Sequence, residues 1–495
     1  MSTIQVSNLT FAYDGSYDNI FENVSLQINT DWKLGFTGRN GRGKTTFLHL
    51  LLGKYAYSGT ISAQVDFEYF PYAVADKDNQ TIDILMEIIP DVAYWQLVRE
   101  LKQLEVEEET LYRPFSTLSN GEQTKMLLAA LFLKENSFLL IDEPTNHLDL
   151  NARKLVSAYL NAKSGFILVS HDRDFLDHCV DHILSINKTN IEVQKGNFSV
   201  WWENKRRQDQ YELGENERLK KDIKRLSDAA KRTSQWSDAV EKTKFGVQSD
   251  GSKAADRGYV GHKAAKMMKR SKTIERRQQS AIADKSQLLK NIESSDSLKL
   301  AQLTYHKQQL VQLSHVAISY GDKRVCSDVS FTIEQGDRIA LLGRNGSGKS
   351  SLLKLICGEE LTYSGDIRIG SQLKVSYVPQ DTSQLRGDLS DYSRQYGIDE
   401  SLFKAILRKL DFSRLQFEKD ITSYSAGQKK KVLLARSLCE KAHLHIWDEP
   451  LNYIDVLSRM QIEELLLEYT PTLLFVEHDS EFCNTIATKT IVLES

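Results

Sequence analysis

Apolar runs that end in acidic or polar residues recur along this chain, and they come in similar pairs. Residues 138–144 read Phe-Leu-Leu-Ile-Asp-Glu-Pro, and residues 444–450 read Leu-His-Ile-Trp-Asp-Glu-Pro. In a second pair, residues 166–172 and 473–479, each apolar run leads to His-Asp. Continuous apolar runs of this length predict buried parallel strands, whose carboxyl ends form the ligand-binding edge of an open α/β sheet. The pattern therefore predicts an α/β fold built from two similar halves.

Between the halves the pattern changes to charged and polar residues, from about 203 to 291. The apolar residues Leu219, Ile223, Leu226 and Ala230 step along one helical face. Further along, apolar residues recur every seven positions, at Met267, Ile274, Ala281 and Leu288. The two stretches flank a tip at 244–262 that contains glycine and serine, which predicts a long antiparallel helical hairpin. A first helix of about 40 residues would extend roughly 60 Å. A solvated coiled coil with a loose tip is the alternative.

These patterns divide the chain into three predicted domains. The first covers residues 1–202, the hairpin linker covers 203–300 with its tip near 244–262, and the second covers 301–495. A chain of 495 residues exceeds what one hydrophobic core normally organises, which agrees with a division of this kind.

Charge and cysteine content narrow the classes of protein to consider. The net charge is only −3, yet Lys and Arg exceed Asp and Glu in the linker by about ten, so a polyanionic partner would be met there. The five cysteines are scattered singly, which argues against a disulfide scaffold and a zinc site and fits a reducing cytoplasm. Since no run approaches the roughly 18 apolar residues that span a bilayer, we expect a cytoplasmic protein without a stable membrane domain.

One phosphate-binding motif occurs twice. Residues 38–45 read Gly-Arg-Asn-Gly-Arg-Gly-Lys-Thr, and residues 343–350 read Gly-Arg-Asn-Gly-Ser-Gly-Lys-Ser. In this pattern the backbone N–H groups surround phosphate oxygens, the lysine neutralises them, and the final hydroxyl binds Mg²⁺. Two ATP sites are therefore predicted. The residues expected to contact nucleotide here are Gly38, Asn40, Gly41, Gly43, Lys44, Thr45 and Thr46, and in the second half Gly343, Asn345, Gly346, Gly348, Lys349, Ser350 and Ser351.

A tyrosine precedes each of these loops, Tyr13 in the first half and Tyr320 in the second. Either ring could stack on an adenine base. The alternative is an aromatic residue in the core of a strand.

The acidic strand ends supply candidates for magnesium binding and for catalysis. Asp142 and Asp448 would hold Mg²⁺, while Glu143 and Glu449 would orient or deprotonate the attacking water. An isolated Asp-Glu pair is more often a strand end or a helix cap, but its repetition at the same spacing favours catalysis.

The histidines at the second pair of strand ends, His171 and His478, can contact the γ-phosphate and sense its hydrolysis. The alternative is that each is simply solvated.

A serine-glycine signature precedes each acidic strand at a similar distance. Ser119 and Gly121 lie in Leu-Ser-Asn-Gly-Glu-Gln, and Ser425 and Gly427 lie in Tyr-Ser-Ala-Gly-Gln-Lys. A serine at a helix start offers a hydroxyl and open N–H groups to phosphate oxygens, although a plain N-cap would look the same.

Taken in this order, the motifs resemble those of ATP-binding cassette ATPases over about four-fifths of the chain. The resemblance implies two tandem cassettes that form a head-to-tail sandwich within one monomer. In that sandwich the P-loop and acids of each half face the signature of the other: Lys44, Asp142, Glu143 and His171 face Ser425 and Gly427, and Lys349, Asp448, Glu449 and His478 face Ser119 and Gly121. ATP would join the halves and hydrolysis would release them.

The two halves also differ in ways that bear on catalysis. Gln380 in the second half is expected to contact Mg²⁺, together with Thr45, Ser350 and the two aspartates, but Tyr72 stands at its position in the first half. Ala426 replaces the usual signature glycine. We expect the two sites to hydrolyse ATP at unequal rates, the first more slowly. Both glutamates are expected to remain able to act in catalysis.

Twin cassettes joined by a basic hairpin resemble the ABC-F translation factors, and most of all their Lsa-type antibiotic-resistance members. The stretches that carry this resemblance include Asn-His-Leu-Asp at 146–149, Gln-Lys-Gly-Asn-Phe-Ser-Val-Trp-Trp at 194–202 and Ile-Trp-Asp-Glu-Pro-Leu-Asn at 446–452. The resemblance implies a factor that binds the ribosomal exit-site region, contacts large-subunit RNA and tRNA, and extends its linker toward the peptidyl transferase centre. The implied result is resistance to lincosamides, pleuromutilins and streptogramin A.

The tip residues suited to RNA contact are basic or aromatic: Lys244, Phe245, Lys253, Arg257 and Tyr259. Three alternatives stay open. The chain could relieve ribosome stalling without an antibiotic role, it could power a transporter, or it could act in DNA repair.

Overall fold

The computed structural model describes residues 2–14, 19–145, 148–187, 190–243, 303–321, 323–344, 346–412 and 414–493, and six residues within 244–302. It divides into two compact units, Met1–Trp201 with Ser297–Ser495, and Trp202–Asp296. The predicted tip, including Lys244, Phe245, Lys253, Arg257 and Tyr259, lies outside the described residues, as does Asn345.

The first half of the larger unit is built on a six-stranded sheet with the order β5-β6-β7-β3-β8-β9. Its first five strands are parallel, and β9 pairs antiparallel with β8. The apolar runs predicted as strands become β6 and β7, and Phe138, Leu140 and Ile167 are fully buried. An antiparallel sheet of order β2-β1-β4 completes this half. The strands are β1 Thr3–Phe11, β2 Phe21–Asn29, β3 Lys33–Thr37, β4 Ser58–Ser62, β5 Asp66–Phe70, β6 Ser137–Asp142, β7 Phe166–Val169, β8 His182–Asn187 and β9 Asn190–Lys195.

The helices of this half begin where the sequence supplies caps. Ser119 accepts a hydrogen bond from the N–H of Glu122, whose carboxylate accepts one from the N–H of Ser119, and this capping box starts α4. Asp149 and Asp172 cap α5 and α6 in a similar way. The helices are α1 Lys44–Leu51, α2 Thr81–Ile88, α3 Tyr94–Gln103, α4 Asn120–Leu131, α5 Leu150–Asn161 and α6 Arg173–Cys179, with short 3₁₀ turns at Glu108–Tyr112 and Phe115–Thr117.

The second half repeats this plan. Its main sheet has the order β14-β15-β16-β12-β17 and is parallel throughout, beside an antiparallel sheet of order β11-β10-β13. The strands are β10 Gln309–Tyr320, β11 Lys323–Glu334, β12 Arg338–Gly343, β13 Thr362–Ile369, β14 Val375–Val378, β15 Leu444–Asp448, β16 Leu473–Val476 and β17 Lys489–Leu493. The expected α/β architecture of two tandem cassettes is confirmed.

The linker begins with a single long helix. This helix, α7 Phe198–Thr243, has 46 residues and starts shortly after β9, so it extends about 70 Å at 1.5 Å per residue. It contains the first of the two predicted linker helices. Six basic or polar residues of the second predicted stretch are described as helical and exposed: Lys266, Lys269, Lys272, Thr273, Arg276 and Arg277. The turn between the two stretches falls outside the described residues.

The helices of the second half are α8 Lys349–Ile356, α9 Leu389–Gln395, α10 Glu400–Lys409, α11 Ala426–Cys439, α12 Val456–Tyr469 and α13 Ser480–Ile486, with 3₁₀ turns at Arg414–Glu418 and Ile421–Ser423. Within the described part of the chain, no helix combines the length and the apolar character that crossing a membrane requires.

Candidate nucleotide sites

Each P-loop leads directly into a helix whose N-cap is a glycine in the left-handed region. Gly43 has φ 95° and Gly348 has φ 86°, a conformation that glycine adopts without steric cost. Space is also restricted at Gly43, because an added Cβ would lie 2.6 Å from a side-chain carbon of Ile20. The loops therefore present the N-termini of α1 and α8, where phosphate binds well.

The two P-loop lysines lie inside their own loops. Lys44 Nζ donates to the carbonyl of Gly38 at 2.6 Å and contacts Asn40 Oδ1 at 3.2 Å. Lys349 Nζ donates to the carbonyls of Gly343 and Arg344, both at 2.8 Å. Burial lowers the pKa of each lysine, and the neighbouring carboxylates oppose this effect. Each loop thus concentrates one cation where a nucleotide's phosphates would bind.

A hydroxyl and a carboxylate meet beside each lysine. Thr45 Oγ1 donates to Asp142 Oδ2 at 2.8 Å, and Ser350 Oγ donates to Asp448 Oδ1 at 3.1 Å. These oxygens fit Mg²⁺, which is commonly held by few protein ligands, with phosphate and water completing its octahedron. Tyr69 also donates to Asp142, at 3.1 Å.

The two glutamates share an unusual backbone conformation. Glu143 has φ 52° and Glu449 has φ 46°, a region that non-glycine residues rarely occupy. The N–H of Glu143 donates to Val169 O at 2.9 Å, and the N–H of Glu449 donates to Val476 O at 3.0 Å. These bonds to the neighbouring strand hold the strained residue, and such strain is common at active sites.

Each glutamate faces the predicted histidine of its own half. The distance from His171 Nε2 to Glu143 Oε1 is 3.2 Å, and that from His478 Nε2 to Glu449 Oε1 is 3.7 Å. The structure therefore brings together the acid and the histidine that the sequence placed on separate strands.

The electrostatic state of the two glutamates differs. Burial, assisted by the charge of Asp142, raises the pKa of Glu143 to about 8. Burial also acts on Glu449, but the neighbouring His478 and hydrogen bonds from Gln380 and Asn452 outweigh it and hold its pKa below the usual value. Glu449 is therefore the better-stabilised carboxylate.

The source of this difference is a pair of amide side chains in the second half. Gln380 Nε2 donates to Glu449 Oε2 at 2.7 Å, and Asn452 Nδ2 donates to the same oxygen at 2.6 Å. Gln380 thus donates its hydrogen bond to Glu449 rather than to Asp448. Tyr72, which occupies the corresponding position in the first half, is partly buried.

The two tyrosines that precede the loops lie beside the P-loop helices. Tyr13 is 42% exposed and its hydroxyl is 2.8 Å from Thr46 Oγ1. Tyr320 is 50% exposed and donates to Ser351 Oγ at 3.2 Å. Their exposure favours a nucleotide contact over a place in a strand core.

The second site is shared by the two cassettes. A cavity of about 1010 Å³ is lined by Gly346, Gly348, Lys349, Ser350, Ser351, Gln380, Glu449 and His478 from the second cassette, and by Ser119 and Gly121 from the first. Ser119 caps its helix and lines the cavity as well, so its N-cap role is compatible with a contact to phosphate.

The first site is also composite. Asn40 Nδ2 donates to the carbonyl of Tyr453 at 2.8 Å, and Arg39 forms an ion pair with Asp411. A Cβ on Gly427 would lie 3.3 Å from Asn40 Nδ2 and 2.2 Å from the carbonyl oxygen of Tyr453. Only glycine fits at this signature position, where Ser425 caps α11.

Charged residues that belong to none of the sequence motifs join the two cassettes. Arg153 donates to Asp172 at 2.9 Å and to the carbonyl of His478 at 3.0 Å. Arg173 forms a buried ion pair with Glu463 of the other cassette. Arg459, 306 residues after Arg153, donates to Asp479 at 2.9 Å in the same way, so a comparison of the two halves of the sequence could have identified Arg153.

Comparison with known proteins agrees with this architecture. The family model described as "ABC transporter" matches residues 21–146 and 326–452, about half of the chain. The chain is 27% identical to the ribosome protection protein VmlR of Bacillus subtilis over 500 residues, 98% of this chain and 86% of VmlR. It is also 27% identical to the ATP-binding protein Uup of Caulobacter vibrioides, over 96% of this chain and 75% of Uup.

Solved structures show the same fold. A structure of the archaeal ribosome recycling factor aABCE1 with the stalk protein aP1 matches with a TM-score of 0.63 at 18% identity, over 99% of this chain and 87% of that one. A structure of RNase-L Inhibitor matches with a TM-score of 0.62 at 18% identity, over 99% and 88% of the two chains. The chain belongs to the ABC transporter family, and its two matched segments make it an ATPase with tandem cassettes.

Proposed function

We propose that this ATPase is an ABC-F protein that acts as a ribosome-protection factor. In this proposal it binds the exit-site region of the ribosome in its ATP state and directs its linker toward the peptidyl transferase centre. Protection would extend to lincosamides, pleuromutilins and streptogramin A. The observation that carries the proposal is the composite character of both nucleotide sites, since ATP bound between two cassettes of one chain would control how they close.

The linker supplies a route from ATP to a distant target. Because α7 begins three residues after β9, closure of the first cassette would move the base of a helix about 70 Å long. The similarity to VmlR over 98% of the chain supports the choice of the ribosome as partner. The basic excess in the linker supports contact with RNA.

In each site the chain's own residues would divide the work. The P-loop N–H groups and Lys44 or Lys349 would hold the β- and γ-phosphates, and the opposing signature serine would complete the cradle. Glu143 or Glu449 would orient the attacking water and accept its proton, while the adjacent histidine contacts the γ-phosphate. Mg²⁺, held through Thr45 and Asp142 or through Ser350 and Asp448, would neutralise phosphate charge.

Sedimentation of a hydrolysis-deficient variant tests the target. Glu143→Gln with Glu449→Gln should bind ATP but hydrolyse it about 10² to 10⁴ times more slowly. This protein should sediment with ribosomes when ATP is present. The matched control, Lys44→Ala with Lys349→Ala, should stay in the supernatant because it lacks the phosphate lysines. If the glutamine variant binds ATP and still fails to sediment, the ribosome is not the target.

Two further measurements test the role of the linker and the antibiotic role: the salt dependence of ribosome binding and the drug susceptibility of cells. Binding through the basic linker should weaken as ionic strength rises, because phosphate contacts release counterions. Expression should raise the drug concentration needed to stop growth for the three drug classes. A protein that binds ribosomes without changing susceptibility would be a factor that relieves stalling.

A further inference from the structure

A buried lysine and a buried glutamate lie behind the second nucleotide site. Lys430, on α11, is only 1% exposed, and Glu477, which follows β16, is 3% exposed. Charged groups are rarely buried to this extent unless they are paired or hydrogen-bonded. In this pair each charge is bonded to backbone groups of the segments that form the site.

Lys430 bonds to the two segments that carry Gln380 and Glu449. Its Nζ donates to the carbonyl of Pro379 at 2.9 Å and lies 3.4 Å from the carbonyl of Asp448. These carbonyls directly precede Gln380 and Glu449, whose side chains are joined at 2.7 Å. One ammonium group therefore spaces the two backbones on which the Gln380–Glu449 hydrogen bond depends.

Glu477 bonds to the residues that follow Glu449 and to the backbone of His478. Its Oε1 accepts from the N–H of His478 at 2.8 Å, and its Oε2 accepts from the N–H of Leu451 at 3.1 Å. Leu451 precedes Asn452, which donates to Glu449. Burial lowers the pKa of Lys430 to about 8, and among the charges that oppose this effect that of Glu477 is the strongest.

The first cassette has neither charge. Thr124 and Ser170 occupy the equivalent positions, 306 and 307 residues earlier. Ser170 Oγ is 3.3 Å from Thr145 Oγ1 and accepts from the N–H of Asp172 at 3.2 Å. Both the lysine and the glutamate are thus absent at these positions of the first cassette, which also has Tyr72 in place of the glutamine.

We propose that Lys430 and Glu477 are positioning residues of the second site, which hold the backbones of Gln380, Glu449, Asn452 and His478 in register so that Glu449 is oriented for hydrolysis. The pair is one structural cause of the inequality between the two sites. This inference rests on the ATPase activity and is independent of the ribosome as target.

The test reads the two sites separately. In a Glu143→Gln background the remaining turnover comes from the second site. There Lys430→Met should lower kcat for ATP about tenfold to 100-fold, the range expected when a catalytic group is misplaced by about 1 Å. The KM for ATP should change less than about threefold, because Lys349 and the P-loop are unaltered. Lys430→Arg, which keeps the charge and donors, should recover part of the loss.

The matched control is the same substitution in a Glu449→Gln background, where turnover reports the first site. There Lys430→Met should change kcat less than about threefold. Equal losses in both backgrounds, or a rise in KM without a fall in kcat, would overturn the proposal, as would unchanged kcat at the second site. If Lys430→Met does not fold, Lys430→Thr with Glu477→Ser installs the first cassette's pair without leaving a lone buried charge. The same criteria then apply.

Discussion

Asn40 in the first P-loop donates a hydrogen bond to the backbone carbonyl of Tyr453 in the second cassette, at 2.8 Å. Tyr453 is held in the left-handed region with φ 64°, and its carbonyl also restricts the space at Gly427. One hydrogen bond thus joins the loop predicted to hold a nucleotide to the segment beside the opposing signature.

Replacing Asn40 with alanine should weaken this closure. A hydrogen bond of this type contributes about 1 kcal/mol, so we expect roughly a fivefold loss of turnover at the first site. The measurement is steady-state ATP hydrolysis in a Glu449→Gln background. In a Glu143→Gln background, which reports the second site, the same substitution should have little effect. Equal losses in both backgrounds would contradict the assignment.

The ion pair between Arg39 and Asp411 should contribute more modestly. Its side chains are 27% and 21% exposed, and partly exposed pairs contribute about 1 kcal/mol or less. Arg39→Asp and Asp411→Arg should each slow hydrolysis at the first site, and the double variant should recover most of the loss. A double-mutant cycle measures the coupling. Strictly additive losses would show that the pair does not act across the interface.

The two catalytic glutamates should contribute unequally. Glu449 is held by Gln380 and Asn452, whereas burial raises the pKa of Glu143 to about 8. We therefore expect Glu449→Gln to remove most of the ATP turnover and Glu143→Gln to remove the smaller part. Gln380→Tyr, which copies Tyr72, should slow the second site about tenfold, the effect of losing a hydrogen bond to a charged group. Larger turnover in Glu449→Gln than in Glu143→Gln would reverse the ranking.

His445 should make the second cassette sensitive to acid. It is 6% exposed and burial lowers its pKa to about 4. Because the unfolded chain protonates this group near pH 6.5, its contribution is complete above pH 6.5 and is lost as pH falls toward 4. The loss is about 3 kcal/mol over that interval.

His445→Leu tests this, since Leu139 stands at the equivalent position of the first cassette. Urea unfolding at pH 7 and pH 4.5 should show a smaller difference between the two pH values for the variant than for the unmodified chain. Carboxylates that also titrate in this range are common to both proteins, so the comparison isolates the histidine. An unchanged difference would contradict its role.

Local sequence predicted much of the fold. The apolar runs at 138–141 and 166–169 became β6 and β7, and Ser119, for which the sequence left an N-cap role open, caps α4. These elements follow from hydrophobic pattern and capping chemistry, which act over a few residues. The helical pattern after residue 203 likewise became part of α7, although the helix starts five residues earlier, at Phe198.

Tertiary structure was needed where the partners are distant in sequence and carry no motif. Asn40 bonds to a carbonyl 413 residues away, and any residue could supply that carbonyl. The pairing of Arg173 with Glu463 depends on how two cassettes pack, which hydrophobic periodicity does not specify.

The sequence by itself determined that the chain has two P-loops, two acidic strand ends and a charged helical linker, because each is a local pattern whose chemistry depends on residue type and spacing. Only the tertiary structure decided that Gln380 donates to Glu449 and that Asn40 donates to Tyr453. It also decided that Lys430 and Glu477 bond to the backbone of the segments that form the second site. These relations depend on distances of a few ångströms between segments that folding brings together, and chain order does not specify such distances.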